Sequence, residues 1–508
     1  MATKPNKTLE NTGVSMSKKI AELLSRIPTD LYLDGEFRPS SSGKRFDVLN
    51  PATGEVLTTV ANATPEDAAH AMDLAAAAQD KWAATAPRER ANILRRAFEL
   101  ATGKYRDDLA MVMTLEMGKP LDQAYGEVTY GASFLEWFAD EAVRIRGDYF
   151  RVPEGHLQAI VVRRPVGPCL LITPWNFPLA MATRKAGPAF AAGNVAILKP
   201  SSETPLTALM FAKIMDEAGL PAGVLSVIPS SSSRAITGPL IQDPRMRKVS
   251  FTGSTQVGKA LLKEAADNVL RTSMELGGNA PFIVFEDADV DYAVECAVLT
   301  KLRNMGEACN AADHFFVHES LYEEFTEKFT EAMSKKTVGD GFDGADVGPV
   351  VSRKQLVDLS AMLDQAIADG AVVRVGGKRP EGGGFFIEPT VITDVPLDSA
   401  IVTEEIFGPL APVMKFSDEK ELIKSINKDS VGLSGYFHTK DMDRVMRLAE
   451  QLEIGMLGVN SATISNAAAP FGGMKHSGMG REGGKEGIED YLQTVYVGMP
   501  APNFEPYL

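Results

Sequence analysis

The sequence predicts an α/β protein built on doubly wound parallel sheets, and three observations carry that prediction. From Ala159 onward short apolar runs alternate with helical segments, the pattern of strands joined by crossover helices. The runs over 166–173, 195–199 and 224–228 are nearly continuous in apolar residues, as strands buried on both faces are; 248–252 is a fourth run. A second alternation of the same kind follows Pro281, and a chain of 508 residues calls for about two to four domains rather than one core.

Taken in order, the first 28 residues are polar and only weakly amphipathic near Ile20, with no apolar run of the secretory kind, and read as a loose leader. Residues 31–62 alternate short apolar runs with turns such as Asp34-Gly35 and Thr53-Gly54, the mark of β-hairpins. Residues 66–145 carry helical periodicity, with alanine- and leucine-rich helices over 66–83 and 88–104. Helices over 204–218 and 257–266 follow strands of the first alternation. In the second half, strands are expected at 282–285, 315–317 and 372–375, with helices at 292–305, 322–335 and 356–369. Loops rich in glycine and proline fall near 377–384 and 470–484, and 491–497 alternates like an edge strand.

Composition excludes several classes of function. The net charge of −15 argues against a nucleic-acid partner, which needs a basic face. No apolar stretch approaches the roughly 20 residues that span a bilayer, so no membrane partner is expected. The three cysteines, Cys169, Cys296 and Cys309, are widely spaced and belong to no Cys/His cluster, which argues against a disulfide framework or a metal site and fits a reducing, cytoplasmic setting. Cys169 and Cys296 have apolar neighbours and read as inert core thiols.

Cys309 differs. It closes the polar turn Gly306-Glu-Ala-Cys309, and Glu275 stands upstream in Glu275-Leu-Gly-Gly278. A thiol and a carboxylate in two such turns suit covalent catalysis, in which the thiolate attacks and the carboxylate activates water to release the product. Gly253-Ser254 follows a strand and opens a helix, a place suited to a pyrophosphate and equally to a plain helix cap. Lys199 ends a strand where ligands bind in open sheets, or is simply an edge lysine.

These segments, with Thr114-Leu-Glu-Met-Gly-Lys119, Pro174-Trp-Asn-Phe-Pro178, Glu404-Glu-Ile-Phe-Gly-Pro409 and Pro470-Phe-Gly-Gly473, stand in one order along the chain. In that order, and in the 34 residues from Glu275 to Cys309, the sequence resembles the aldehyde dehydrogenase family from about residue 30 to 498. The resemblance implies a Rossmann-type cofactor domain (29–146 and 166–276), an α/β catalytic domain (277–488) and a small β element (147–165 and 489–508) that pairs with a neighbouring subunit in a homodimer or homotetramer. It implies Cys309 as nucleophile, Glu275 as general base for deacylation and Asn176 as oxyanion donor. Cofactor contacts would fall to Thr173, Trp175, Lys199, Ser202, Gly253, Ser254, Leu276, Glu405 and Phe407. Ser202 stands where relatives that prefer NAD often carry Glu; without that repulsion, and with Lys199 nearby, NADP is expected ahead of NAD.

Within the family the chain is most similar to members that oxidise succinate semialdehyde to succinate, with glutarate semialdehyde the next substrate and a broad aldehyde oxidiser, thioesterase or non-catalytic binding protein as further alternatives. Arg184, Arg303 and Ser465 carry this narrower match and would hold the remote carboxylate of a small semialdehyde. The sequence also departs from the family: Ala311 replaces a second cysteine common after the nucleophile, Asp313-His314 replaces an Asn-Arg pair, and Asn310 puts an amide beside the thiol.

Overall fold

The computed structural model describes residues 15–380 and 382–502; the first half of the expected leader and the last six residues lie outside them. The rest of the leader is not loose. Ser15 caps the helix Met16–Leu24 by accepting from the Lys18 N–H. Leu23 and Ile27 enter the core, and Arg26 pairs with Asp108 at 2.5 Å. One apolar side chain per turn is enough to dock a short helix that composition alone cannot sustain.

The hairpin Leu31–Leu33/Glu36–Arg38 turns through Asp34 and Gly35, both at positive φ (55° and 79°), the geometry that two-residue hairpin loops favour. It adds to the edge of an eight-stranded sheet. Four helices follow, Pro65–Ala84, Pro87–Thr102, Arg106–Met117 and Leu121–Ala142. The five parallel strands of that sheet are Cys169–Ile172, Ala196–Lys199, Leu225–Val227, Lys248–Thr252 and Arg271–Glu275. In chain order they stand 3-2-1-4-5, the Rossmann arrangement, so the order reverses between Cys169–Ile172 and Lys248–Thr252. The short strand Gly478–Met479 pairs with Arg271–Glu275 at the far edge, so part of the loop expected to lie in the second domain belongs to the first sheet.

The second sheet has seven strands, parallel except at one edge, with Ala280–Val284, Ala312–His318 and Ser434–His438 at its heart. The helix expected over 292–305 runs over Val290–Leu302 and stops there. Asn304, Met305 and Gly306 are all left-handed (φ 55°, 57° and 77°), and at Gly306 a Cβ would stand 2.3 Å from the Gly408 carbonyl oxygen. Two successive non-glycine residues in that region cost about 1–2 kcal/mol each, and the buried packing around them supplies the constraint. The kink turns the chain back so that Cys309 sits between the two sheets. A third sheet of three antiparallel strands, Asp148–Arg151, Leu157–Pro165 and Leu492–Pro500, stands apart and leaves Tyr149, Phe150, Tyr496 and Val497 exposed. Among the described residues no helix is long and apolar enough to cross a membrane.

Candidate active site

The segments that follow the first and fourth Rossmann strands meet the end of the fifth and the Cys309 loop in one cavity of about 230 Å³. Trp175, Asn176, Gly253, Ser254, Glu275, Leu276, Cys309, Glu405 and Phe407 all line it. Nine of the residues expected in catalysis and cofactor binding are thus brought together. Thr173, Lys199 and Ser202 lie outside that cavity, at or after the ends of the neighbouring strands, and Ser465 lines a separate one of about 430 Å³ with Tyr130 and Trp137.

Cys309 is only partly covered, yet burial pushes its thiol up to about 12; Arg184 opposes the shift, and Glu405 and Glu275 add to it. The uncombined thiol is therefore protonated near neutrality, and attack needs the proton to leave. Asn176 is held on all sides. Its Oδ1 accepts from the Phe177 N–H (3.1 Å), its Nδ2 donates to the Glu307 carbonyl (3.1 Å), and its own carbonyl accepts from Lys119 Nζ (2.8 Å) and Asn304 Nδ2 (3.0 Å). One amide N–H remains for an oxyanion. Lys119 is buried against Glu127, whose other oxygen takes the Leu179 and Ala180 N–H groups and so caps the helix Pro178–Ala192 that carries Arg184.

Glu275 ends its strand 2 % exposed, and neither carboxylate oxygen has a hydrogen-bond partner among the described residues. Burial, and then Glu482, raise its carboxyl well above the usual range, against Arg184, Lys185 and Arg481. A buried carboxylate free of donors is suited to bind and deprotonate a water.

Sequence reading missed Glu482. Burial works against its charge, but Arg184 Nε and Lys185 Nζ (2.5 Å) hold its carboxyl below the ordinary value. The only local signal was an acid amid the glycines of 478–484, and its partners lie nearly 300 residues away.

The two arginines expected at the substrate's far end differ. Arg184 is 1 % exposed, spends Nε on Glu482, lies 4.2 Å over the Phe471 ring, and has Nη2 without a partner. Arg303 lies over Phe177 (4.8 Å) and Tyr130 (5.9 Å), and its guanidinium makes no ion pair or hydrogen bond among the described residues.

The cofactor residues fit a nicotinamide dinucleotide. A Cβ at Gly277 would stand 2.5 Å from Glu405 Oε2, so only glycine leaves the cleft open there. Glu405 accepts from the Gly278 N–H (3.2 Å), and burial, with Asp313, lifts its carboxyl to about 8. Phe407, left-handed at φ 50°, meets Trp175 edge to face at 5.4 Å, and Gln355 Nε2 holds its carbonyl (2.8 Å). Ser254 caps the helix Thr255–Ala266, whose dipole faces the cleft. Lys199 is buried with its amine on Ser233 Oγ (2.5 Å), its pKa lowered by burial to about 8. Ser202 donates to Glu203, which places a carboxylate one residue beyond the expected cofactor contact.

The departures also find places. Asp313 pairs with buried Lys301 at 3.2 Å. His314 contacts the Ile401 carbonyl through Nε2 (3.2 Å), and burial lowers its pKa to about 3, which keeps it neutral. Neither lines the cavity of Cys309. Asn310 does not line it either, but donates through Nδ2 to Ser465 Oγ, in the neighbouring cavity, at 3.0 Å.

Comparison with known proteins agrees with this geometry. Residues 37–497 match the aldehyde dehydrogenase family. A succinate-semialdehyde dehydrogenase of Paenarthrobacter nicotinovorans is 57 % identical over 88 % of this chain and 99 % of the relative. A glutarate-semialdehyde dehydrogenase of Pseudomonas putida is 47 % identical over 92 % of this chain and 96 % of the relative. The crystal structure of an NADP-dependent enzyme of E. coli superposes with a TM-score of 0.92 at 45 % identity, covering 94 % of this chain and 99 % of that one. The chain belongs to the aldehyde dehydrogenase family.

Proposed function

We propose that this enzyme oxidises succinate semialdehyde to succinate, with NADP ahead of NAD. The observation that carries the substrate is the pair of incompletely satisfied guanidiniums, Arg184 Nη2 and Arg303, in a protein whose net charge is −15. Guanidinium groups with N–H donors left unmatched near a partly covered nucleophile call for an anion from outside, and planar guanidinium suits a carboxylate. The Paenarthrobacter relative acts, by its name, on that semialdehyde.

The chemistry follows from the residues. Direct loss of hydride from a free aldehyde would leave an acylium-like carbon. Once the thiol proton has passed to a base, for which Glu275 stands in the same cavity, addition of the Cys309 sulfur makes a tetrahedral thiohemiacetal instead, whose oxyanion takes the free N–H of Asn176 and the backbone N–H of Cys309. Losing one such donor costs about 3–4 kcal/mol in comparable sites. Trp175, Glu405 and Phe407 would hold the nicotinamide, which would supply the hydride acceptor. Glu275 then deprotonates the water that cleaves the thioester on Cys309, and its missing hydrogen bonds leave both oxygens open to that water.

NADP is supported by Lys199 and by a hydroxyl at Ser202 in place of a repelling carboxylate. Glu203 works against it, so the preference is modest. The exposed aromatic residues of the three-stranded sheet support pairing with another copy of the chain, as a dimer or tetramer, and the reduced thiols a cytoplasmic setting.

Steady-state kinetics with succinate semialdehyde, glutarate semialdehyde and butanal, each with NADP and NAD, tests the reading. Succinate semialdehyde with NADP is expected to give the highest kcat/KM. Equal rates with butanal would overturn the carboxylate assignment, and a higher rate with the five-carbon semialdehyde would transfer the assignment to glutarate semialdehyde. Cys309→Ala is expected to abolish oxidation while NADP still binds; retained oxidation would remove the thiol from the mechanism.

A further inference from the structure

We infer that Asn310, the residue after the nucleophile, is a positioning residue that sets the hydroxyl of Ser465 as a donor to the substrate's remote carboxylate. The inference rests on the proposed semialdehyde reading. An amide nitrogen can only donate, so the 3.0 Å contact from Asn310 Nδ2 makes Ser465 Oγ the acceptor. The Ser465 hydroxyl proton then has no acceptor among the described residues. Ser465 lines the cavity that also holds Tyr130, and the Tyr130 ring lies against Arg303. The acids of that cavity, Glu136 and Asp140, are held by Arg95, and Tyr130 forms the wall between Ser465 and the Arg303 guanidinium, 5.9 Å from its ring.

Asn310 is 6 % exposed, and its backbone is secured independently, because Tyr436 Oη donates to its carbonyl at 2.7 Å. Changing the side chain alone leaves that anchor, and with it the loop of Cys309, in place. The opposite amide orientation, with Oδ1 toward Ser465, would draw the hydroxyl proton to Asn310 and leave the anion facing a filled donor. The two orientations predict opposite effects of substitution.

The test compares wild type, Asn310→Ala, Ser465→Ala, the double variant and Asn310→Asp, with saturating NADP, against succinate semialdehyde and butanal. A hydrogen bond to a charged group is lost in Ser465→Ala, so its KM for the semialdehyde should rise about 10-fold or more. Asn310→Ala should raise the same KM about 3- to 10-fold, and the double variant should be no worse than Ser465→Ala, because both remove one donor. Asn310→Asp keeps the size but offers only acceptors to Ser465 and adds a like charge, so it should be the worst, about 30-fold or more. In every variant the loss should fall on the semialdehyde, so that the ratio of its kcat/KM to that of butanal drops by the same factor. Equal losses on both aldehydes, additive losses in the double variant, or an Asn310→Ala that improves the semialdehyde KM would each overturn the inference. If wild type itself does not prefer the semialdehyde to butanal, the functional reading fails first and this inference with it; a wild-type preference that survives Asn310→Ala refutes this inference alone.

Discussion

Arg184 and Arg303 offer the sharpest check of the site, because removing each should do different things. Arg303 leans on two rings and holds no carboxylate, so Arg303→Ala leaves no buried charge unpaired. Its lost cation–π contacts amount to about 0.5–1 kcal/mol each at a partly exposed position, a shift of about 1–2 °C in Tm at most. Its substrate effect is larger. Removing one partner of a closed-site charge pair costs about 2–5 kcal/mol, and Arg303's partial exposure favours the low end, about 30- to 100-fold in kcat/KM for the semialdehyde. Arg184→Ala should lose activity comparably, but it also leaves buried Glu482 with Lys185 as its remaining close cation. Breaking a buried pair costs about 3–5 kcal/mol, which for a chain of 508 residues lowers Tm by about 3–5 °C. Kinetics with succinate semialdehyde and butanal, read beside thermal denaturation, separates the two. If Arg303→Ala left the ratio of semialdehyde to butanal kcat/KM unchanged, or if Arg184→Ala melted like wild type, the assignment of these two guanidiniums would be wrong.

Four further outcomes follow from the same geometry. Glu275→Gln should release one equivalent of NADPH per active subunit in a rapid burst and then turn over about 10²–10⁴-fold more slowly, because acylation survives and deacylation loses its base; rapid-mixing absorbance reads both phases. Since burial and Glu482 hold the Glu275 carboxyl above its usual range, its basic form is lost early as pH falls, so deacylation should decline on the acid side at a higher pH than an ordinary glutamate would give, and Glu482→Gln should move that decline to lower pH. Ser202→Glu should cut kcat/KM for NADP about 10- to 100-fold and leave NAD nearly untouched, as matched cofactor kinetics would register. Asp313→Asn should destabilise the fold by about 3–5 kcal/mol in denaturant titrations, because it strands the Lys301 ammonium at 0 % exposure.

What was legible in the sequence is local chemistry. Cys309, Glu275 and Asn176 each stand in a short segment whose residue types suggest a task, and the structure brings them to one cavity; the apolar runs near 169, 196, 225 and 248 are buried strands. What was not legible depends on partners far along the chain. Apolar periodicity carries the helix over 292–305 past Leu302, and the left-handed kink appears only because Gly408, a hundred residues on, packs against Gly306. The helix Pro178–Ala192 contains Gly187 and Pro188 and is buried along its whole length, so it shows neither propensity nor an amphipathic face.

Glu482 is the most consequential of these silent residues, because it explains how buried cations coexist with a ligand site. A buried Arg184-Lys185 pair without an acid would be too costly to hold, and two acids would saturate it and leave nothing for a substrate. One carboxylate takes Arg184 Nε and Lys185 Nζ and leaves Arg184 Nη2 unpartnered. The same carboxylate raises Glu275 and so favours its neutral form at rest. On the proposed reading a single acid connects recognition of the substrate's anionic end with the protonation of the base that completes its oxidation, and a change at Glu482 should disturb both together.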